Sequence, residues 1–339
     1  MIDCVVVNYH TAALLPGLLD DLLGEPAVAG VVVVDNSGEL EPAMFADRQR
    51  VLLLRPGSNL GFAAAVNLAV PHLTSEYVLL VNPDIRLFPG CLPALLAAAR
   101  DSGAVLTGPR FYWDAGKRFR LPPSLGACGW LDFAQEAAAR SRLDAEHLSF
   151  YWQLRFARFW EQEEPFAEPF LSGACLLVDR PWALGHDGPL LDPRFFLYYE
   201  DTDLSSRAAF AGRLQLCVPA AEALHYYDQS PPPGKSKAAL MVAAHERFKE
   251  KYYPGMEWSF AASGAAWQPV AEDLGELQVP PVLSPAGVGN DRGYFEIGIN
   301  PVFVPCAQAV LAPGEVPVIP PELWARQAPG IYYGRLRDS

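Results

Sequence analysis

Positive charge, clustered cysteine and long apolar runs are all scarce in this 339-residue sequence. Lysine and arginine total 26 against 39 aspartates and glutamates, a formal net charge of -13. As a whole, such a surface repels polyphosphate backbones and anionic bilayers, and no nucleic acid partner is expected. An anionic ligand would need local neutralisation by a divalent metal, aimed backbone amides or a few cations. The six cysteines (Cys4, Cys91, Cys128, Cys175, Cys217, Cys306) stand singly, mostly in apolar stretches. With no C-x-x-C pair and no dense framework they read as reduced core residues, not as zinc ligands or disulfides. No apolar run reaches the roughly 20 residues that span a bilayer. The chain opens directly on a strand, MIDCVVVNYH, with no basic leader. The expected protein is soluble and cytoplasmic; peripheral attachment at the inner face of the membrane and homo-oligomerisation stay open.

What the sequence does have is apolar content, 51% of residues, enough for a large core and two domains. Residues 2–7, 31–34, 51–54 and 77–81 are short, nearly continuous apolar runs, the pattern of strands covered on both faces. Between them, 11–23, 61–73 and 89–100 carry leucine and alanine at helical spacing. Alternation of this kind implies a doubly wound α/β sheet whose ligands sit at the carboxyl ends of the strands. Those positions are polar: Asn8, then Asp35-Asn36-Ser37, then Arg55 and Asn59, then Asn82-Pro83-Asp84. Turns favour these residues anyway, but four such strand ends in succession suggest a site.

Residues 111–168 are aromatic and charged, without a readable pattern, and look like an insertion covering one side of the site. FLSGACLLVDR returns to a buried strand, FFLYYEDTDLSSRAAFAG leads into a helix ended by Gly212, and LQLCVP and AEALHYY read as two further strands. Residues 237–253 read as a closing amphipathic helix. Beyond Pro254, proline and glycine punctuate short β-like runs, among them YFEIGINPVF and GIYYGRLRD. A boundary is expected near 255–275, followed by a small β-sandwich of fibronectin type III kind. Its aromatics, Trp258, Trp267, Trp324, Tyr332 and Tyr333, are expected to fill a small core more than to stack on sugars.

Three elements carry chemistry. Asp84, at a strand end, is placed to bind Mg2+ or Mn2+ that also grips a diphosphate, although Asn-Pro-Asp alone is an ordinary turn. Glu200-Asp201-Thr202-Asp203 puts three carboxylates in four residues, so at least one is expected to have a raised pKa suited to general-base work. An acidic first turn is also what the helix dipole favours. His225, 24 residues beyond Asp201, is by itself a structural histidine more often than a ligand, yet its imidazole suits a metal shared with Asp84.

Taken in order, VVVNYH, VVVVDNSG, NLGFAAAVN, VLLVNPDI, FLSGACLLVDR, FFLYYEDTDLSSRAAFAG and VPAAEALHYY resemble the family-two inverting glycosyltransferases of GT-A fold, in particular their rhamnosyltransferase-like branch. The resemblance covers about residues 1–250 and implies a GT-A catalytic domain over 1–255, a Rossmann-like, mostly parallel sheet flanked by helices, with a β-rich domain over 256–339. It further implies that Asn8 and Asp35 hold the nucleoside and that Asn59, Gly61 and Asn67 line the donor pocket. Asp84 becomes the carboxylate of the D-x-D element, His225 an additional metal ligand, and Asp201, beside Glu200, the base. Arg207 organises the carboxylates or faces phosphate, while Ser172 and Gly173 shape the floor beneath the acceptor. Asn82 departs from the first aspartate of D-x-D and lowers the local charge. The implied donor is dTDP-rhamnose or a UDP-sugar, and the implied acceptor a glycan or lipid-linked glycan. Two other readings are a sugar nucleotidyltransferase, opposed by the lack of a basic Gly-rich loop in VVVNYHTAALL, and a degenerate glycan-binding or scaffold protein.

Overall fold

A computed structural model describes residues 1–185, 188–231, 236–256, 272–281 and 293–338. Trp258, Trp267 and much of the boundary expected near 255–275 lie outside the described residues. The elements begin with β1 (Ile2–Asn8), α1 (Leu15–Gly24), β2 (Val28–Asp35), β3 (Val51–Leu54), α2 (Phe62–Ala69), β4 (Tyr77–Val81), β5 (Ile85–Leu87) and α3 (Cys91–Ser102). There follow β6 (Leu106–Tyr112), β7 (Phe119–Arg120), α4 (Gly129–Ala138), α5 (Arg142–Glu161), β8 (Phe166–Ala167), β9 (Cys175–Asp179) and α6 (Arg180–Leu184). The chain continues through α7 (Glu200–Phe210), β10 (Gln215–His225), α8 (Lys237–Tyr252), β11 (Gly293–Gly298), β12 (Cys306–Leu311), α9 (Pro321–Trp324) and β13 (Tyr333–Asp338). They fall into two compact units, Met1–Arg110 with Gln162–Gly255, and Phe111–Glu161 with Met256–Ser339.

The first unit is built on parallel strands in the order β3-β2-β1-β4, in register with Val5 opposite Val32 and Leu80. β9 then runs antiparallel to β4, and β6 antiparallel to β9. All seven residues of β1 are buried, as a strand with helices on both faces requires, and this explains its unbroken apolar run. α1 starts at Leu15, later than its periodicity suggests, because Thr11 turns back to hydrogen-bond Asn8 and Pro16 occupies the first helical turn. Leu15, Leu18, Leu19 and Leu22 then form its buried stripe.

β10 corrects the expectation of two strands: Gln215–His225 is one strand with Pro219 inside it. Its first half pairs with β8 at Leu216 and Cys217, its second with β5 at residues 223–225. Proline, which has no N–H to give a ladder, stands where the strand changes partners. α8 opens on a genuine cap, the Ser236 hydroxyl accepting from the Ala239 N–H at 3.2 Å.

In the second unit the described strands form one antiparallel sheet, β13-β11-β12-β7, and no second sheet faces it among the described residues. Its most distant pairing in sequence sets Phe119 and Arg120 against Ala309 and Gln308, so the 111–161 segment belongs with the C-terminal residues. Phe119, Phe295, Leu311 and Leu323 form its core, with Trp324 packed against them. α5 buries Trp152 and Phe156, and the Trp160 indole donates to the Leu121 carbonyl at 3.0 Å.

Candidate active site

At the carboxyl ends of β1 and β2, Asn8 and Asp35 are almost wholly buried and hydrogen-bonded to each other. The Asn8 amide nitrogen donates to Asp35 Oδ1 at 3.1 Å and to Glu39 Oε1 at 2.9 Å. Asp35 Oδ1 also accepts from the Ser37 hydroxyl at 2.9 Å and the Gly38 N–H at 3.0 Å, while its Oδ2 accepts from the Leu40 N–H at 2.8 Å. Burial pushes the Asp35 carboxyl up, but the Leu40, Asn8 and Ser37 hydrogen bonds together outweigh it and leave the pKa below its ordinary value. An ionised Asp35 therefore shapes the loop that follows β2.

Asn59, Gly61 and Asn67 hold a second layer together. Asn36 donates to the Gly61 carbonyl at 3.0 Å and Asn59 Oδ1 accepts from the Gly61 N–H at 2.9 Å. Gly61 has φ 79° and ψ -179°, and a Cβ there would lie 2.2 Å from the Phe196 carbonyl oxygen. This close approach lets the Phe62 N–H donate to that carbonyl at 2.7 Å. One turn into α2, the Asn67 amide pairs with the backbone of Leu191 in both directions, at 2.7 and 3.0 Å. Together these contacts pin the segment that leads into α7.

The turn after β4 brings Asp84 to His225, their Oδ2 and Nε2 atoms 3.5 Å apart and both side chains largely buried. The approach follows from sheet register, since His225 pairs with Ile85 and the Tyr226 N–H donates to the Asp84 carbonyl at 3.0 Å. The 172–174 loop joins this pair to α7. The Asn82 N–H donates to the Ala174 carbonyl at 2.9 Å, and the Gly173 N–H donates to Asp201 Oδ2 at 2.9 Å. A Cβ on Gly173 would meet the Asp201 Cβ at 3.0 Å, so glycine lets the two segments close on each other. The Ser172 hydroxyl accepts from the Ala174 N–H and stiffens the loop.

The residues leading into α7 are strained. Tyr198 and Tyr199 take left-handed φ values of 72° and 68°, conformations that cost on the order of 1 kcal/mol each for residues with a side chain. Thr202 holds Asp201 Oδ1 through its N–H at 2.7 Å and its hydroxyl at 3.3 Å. Burial raises the Asp201 pKa, and the Gly173 and Thr202 hydrogen bonds only partly restore it. Glu200 is 8% exposed, and its Oε2 is buried without a hydrogen-bond partner among the described residues. Burial, then the Asp201 charge, pushes its pKa up to about 8.

Residues 3–183 match the family described as Glycosyl transferase family 2. Two curated relatives, the N-acetylglucosaminyl-diphospho-decaprenol L-rhamnosyltransferases of Mycobacterium tuberculosis strains CDC 1551 / Oshkosh and H37Rv, are each 32% identical over 269 residues. These alignments cover 73% of this chain and 82% of each relative. Among solved structures, that of GalNAc-T7 with UDP, GalNAc and Mn2+ superposes with a TM-score of 0.53 at 16% identity. It covers 75% of this chain and 48% of that one, so this chain spans about half its length. The chain belongs to glycosyl transferase family 2. It is a glycosyltransferase of GT-A fold with a mostly parallel central sheet, as its sequence suggests.

In this glycosyltransferase, Arg207 lies apart from the Asp84, His225 and Asp201 group. Its guanidinium donates to the Leu190 and Ala183 carbonyls and stands 3.4 Å from Asp203 Oδ2. With Lys251, Asp192 and Trp182 it lines a cavity of about 510 Å³ that Asp84, His225 and Asp201 do not border. Asp203, fully buried, is held by Lys251 and by the Tyr252 hydroxyl at 2.8 Å, and Lys251 also binds Asp192 at 2.8 Å. Lys251 and Arg194 outweigh burial at Asp192 and hold its carboxyl well below the usual range.

Sequence reading missed Tyr227. Its ring lies 4.3 Å from that of His225. The residue is 51% exposed, yet desolvation of its hydroxyl and then the charges of Asp201 and Asp84 raise its pKa. Tyr227 and Asp228 bend the chain through left-handed φ values of 60° and 57°, with no glycine or asparagine to signal the turn. Only the HYYD stretch at the strand end marks the place.

Proposed function

We propose that this glycosyltransferase transfers a sugar, with inversion, from a nucleoside-diphosphate donor such as dTDP-rhamnose or a UDP-sugar to a hydroxyl of a lipid-linked N-acetylglucosaminyl glycan. The observation that carries the reading is the Asp84–His225 pair at 3.5 Å, tied through the 172–174 loop to Asp201. The acceptor class is suggested by the decaprenol-linked substrate in the names of the two mycobacterial relatives.

Among the described residues no three His, Cys, Asp or Glu side chains cluster as a complete metal cage. One carboxylate and one imidazole nevertheless fit a Mg2+ or Mn2+ ion that takes its other ligands from diphosphate and water. Asp84 and His225 would hold it. Bound there, it would supply positive charge to the leaving diphosphate, which a protein of net charge -13 otherwise lacks.

Asp201 is the base in this reading. The Gly173 N–H and Thr202 fix its carboxylate, and its raised pKa makes it a stronger proton acceptor than an exposed aspartate. It takes the proton from the acceptor hydroxyl as that oxygen attacks the anomeric carbon on the face opposite the departing nucleotide. Glu200, protonated at neutral pH, adds no second negative charge beside it.

The test is a thermal-shift screen of nucleoside diphosphates and sugar nucleotides with and without Mn2+ or Mg2+, followed by transfer to a short-chain, water-soluble N-acetylglucosaminyl-diphospho-alkyl acceptor. Asp84→Ala should abolish metal-dependent stabilisation by the donor. Asp201→Asn should keep that stabilisation and lose on the order of 10² to 10⁴ in transfer rate. Near-normal rates in both variants would refute the assignment.

A further inference from the structure

Just beyond the end of β10, Tyr227 and Asp228 both take left-handed φ values, 60° and 57°, which residues with a side chain rarely hold. Such a conformation persists only where its surroundings fix it. Here the Gln229 amide donates to the Tyr227 carbonyl at 2.6 Å, and Lys237, at the start of α8, pairs with Asp228. The turn sets the Tyr227 ring against the His225 imidazole, centroids 4.3 Å apart and planes tilted by 37°. Burial in a core would account for an aromatic ring in so strained a place, but Tyr227 is 51% exposed. A ring fixed beside a candidate metal ligand, with half of the residue's surface open, points to a ligand from outside the chain.

We infer that the pyranose ring of the acceptor sugar stacks on the open side of Tyr227, which holds the acceptor hydroxyl at Asp201. The inference rests on the reading, given above, of Asp201 as the base and of an N-acetylglucosaminyl acceptor. The tyrosine's surroundings select the occupant. Its hydroxyl feels three carboxylates, Asp201 most, then Asp84, then Asp228. A base works only within hydrogen-bond reach of the proton it takes, so the space beside Asp201 belongs to the acceptor, and Tyr227 borders that space. Three neighbouring negative charges, and the negative face of the ring itself, disfavour a phosphate group against Tyr227. A neutral sugar ring meets no such repulsion. An N-acetylglucosaminyl pyranose carries its substituents equatorially and presents axial C–H bonds on each face. Those weakly positive hydrogens meet an aromatic face as the edge of one aromatic ring meets the face of another. Tyr227 is then an acceptor-binding residue. Steadying His225 is the other role open to this ring, and it predicts a loss of metal and donor binding instead.

The experiment uses the full chain and variants that suit the left-handed turn. Glycine adopts this φ freely and asparagine tolerates it, so Tyr227→Gly removes the ring without adding strain, and Tyr227→Asn replaces it if the glycine variant fails to fold. Tyr227→Phe keeps the ring. Binding of the water-soluble N-acetylglucosaminyl-diphospho-alkyl acceptor is measured by titration calorimetry in Mg2+ with dTDP or UDP present, and transfer kinetics give the acceptor KM and kcat. Tyr227→Gly should weaken acceptor binding and raise the acceptor KM about tenfold, with a smaller change in kcat. The Mg2+-dependent thermal shift by dTDP or UDP should match that of wild type. Tyr227→Phe should recover most of the lost acceptor affinity. Equal acceptor binding by wild type and Tyr227→Gly overturns the inference, as does a wild type that binds no acceptor. Loss of the nucleotide thermal shift in Tyr227→Gly overturns it in favour of a ring that positions His225. Ring-dependent acceptor binding without transfer defeats the proposed activity alone, whereas transfer with an acceptor KM indifferent to the ring defeats this inference alone.

Discussion

Replacing Glu200 by glutamine should stabilise the protein, and more so as pH rises. Glu200 is buried beside Asp201 with one oxygen unpartnered, and its pKa moves from 4.5 to about 8. A carboxyl whose folded-state pKa is raised contributes its full stability below the unfolded value and loses it as pH climbs through the folded one. In wild type the loss thus runs from pH 4.5 to about 8. Within that window each pH unit costs about 1.4 kcal/mol relative to a side chain that never ionises. Glutamine has the shape of the protonated acid and carries no charge. At pH 4 the two proteins should melt together, and at pH 7 the variant should be ahead by roughly 3 kcal/mol. For unfolding of the first unit, which holds Glu200 within Met1–Arg110 and Gln162–Gly255, that is roughly 6–12 °C. The assay is thermal unfolding of both proteins across pH 4–9 in one buffer series. A difference that is flat with pH, or a variant less stable at pH 7, would mean that Glu200 does not titrate against a buried, charged surrounding and would refute the reasoning.

Three other substitutions test the frame around the site. Gly61→Ala should destabilise by about 3 kcal/mol or more, since the backbone conformation is nearly glycine-only and the new methyl would displace the Phe196 carbonyl from its hydrogen bond; denaturant unfolding measures it. Asn67→Ala should cost about 2–3 kcal/mol by leaving both backbone groups of buried Leu191 unpaired. Asn67→Asp should recover little of that loss, because a carboxylate cannot donate to the Leu191 carbonyl, and equal melting temperatures for Asn67→Asp and wild type would contradict the pairing. Lys251→Met should cost about 3–5 kcal/mol by stripping the fully buried Asp203 of its closest cation, seen as a lower denaturation midpoint.

Much of the first unit was legible because the physics is local. A strand buried on both faces has no polar alternation to confuse, so 77–81 coincides with β4, and 51–54 coincides with β3 by its apolar run although that edge strand is only half-buried. The Asp84–His225 pair was named from residue type and then from family resemblance, and its closeness comes from the antiparallel β5–β10 register, which no spacing in the sequence encodes. Pro219 misled in the opposite direction, reading as a break where the strand only changes partners. The 111–168 segment resisted because α5 carries two opposite apolar sides, and opposite stripes cancel the one-sided periodicity by which an amphipathic helix is recognised. The pairing of β7 with β12 joins positions nearly two hundred residues apart, and nothing local in either strand announces it.

The Glu200-Asp201-Thr202-Asp203 stretch shows why composition alone could not assign its roles. Three carboxylates occupy one helical turn, and at 100° per residue they leave the axis in different directions. Asp201 meets backbone donors from Gly173 and Thr202, which keep it hydrogen-bonded and half-buried. Asp203, two residues on, points 200° away into Lys251, Tyr252 and Arg207, where it is fully buried and serves the packing of α7 on α8. Glu200 meets no donor at its Oε2 and takes up a proton instead. The same charge thus gives one hydrogen-bonded carboxylate of raised pKa, one structural ion pair and one neutral acid, and what distinguishes them is the partner that each direction supplies. That is also why Arg207 sits with the structural carboxylate: four residues after Asp203 on the same helix, it reaches Asp203 by helical spacing.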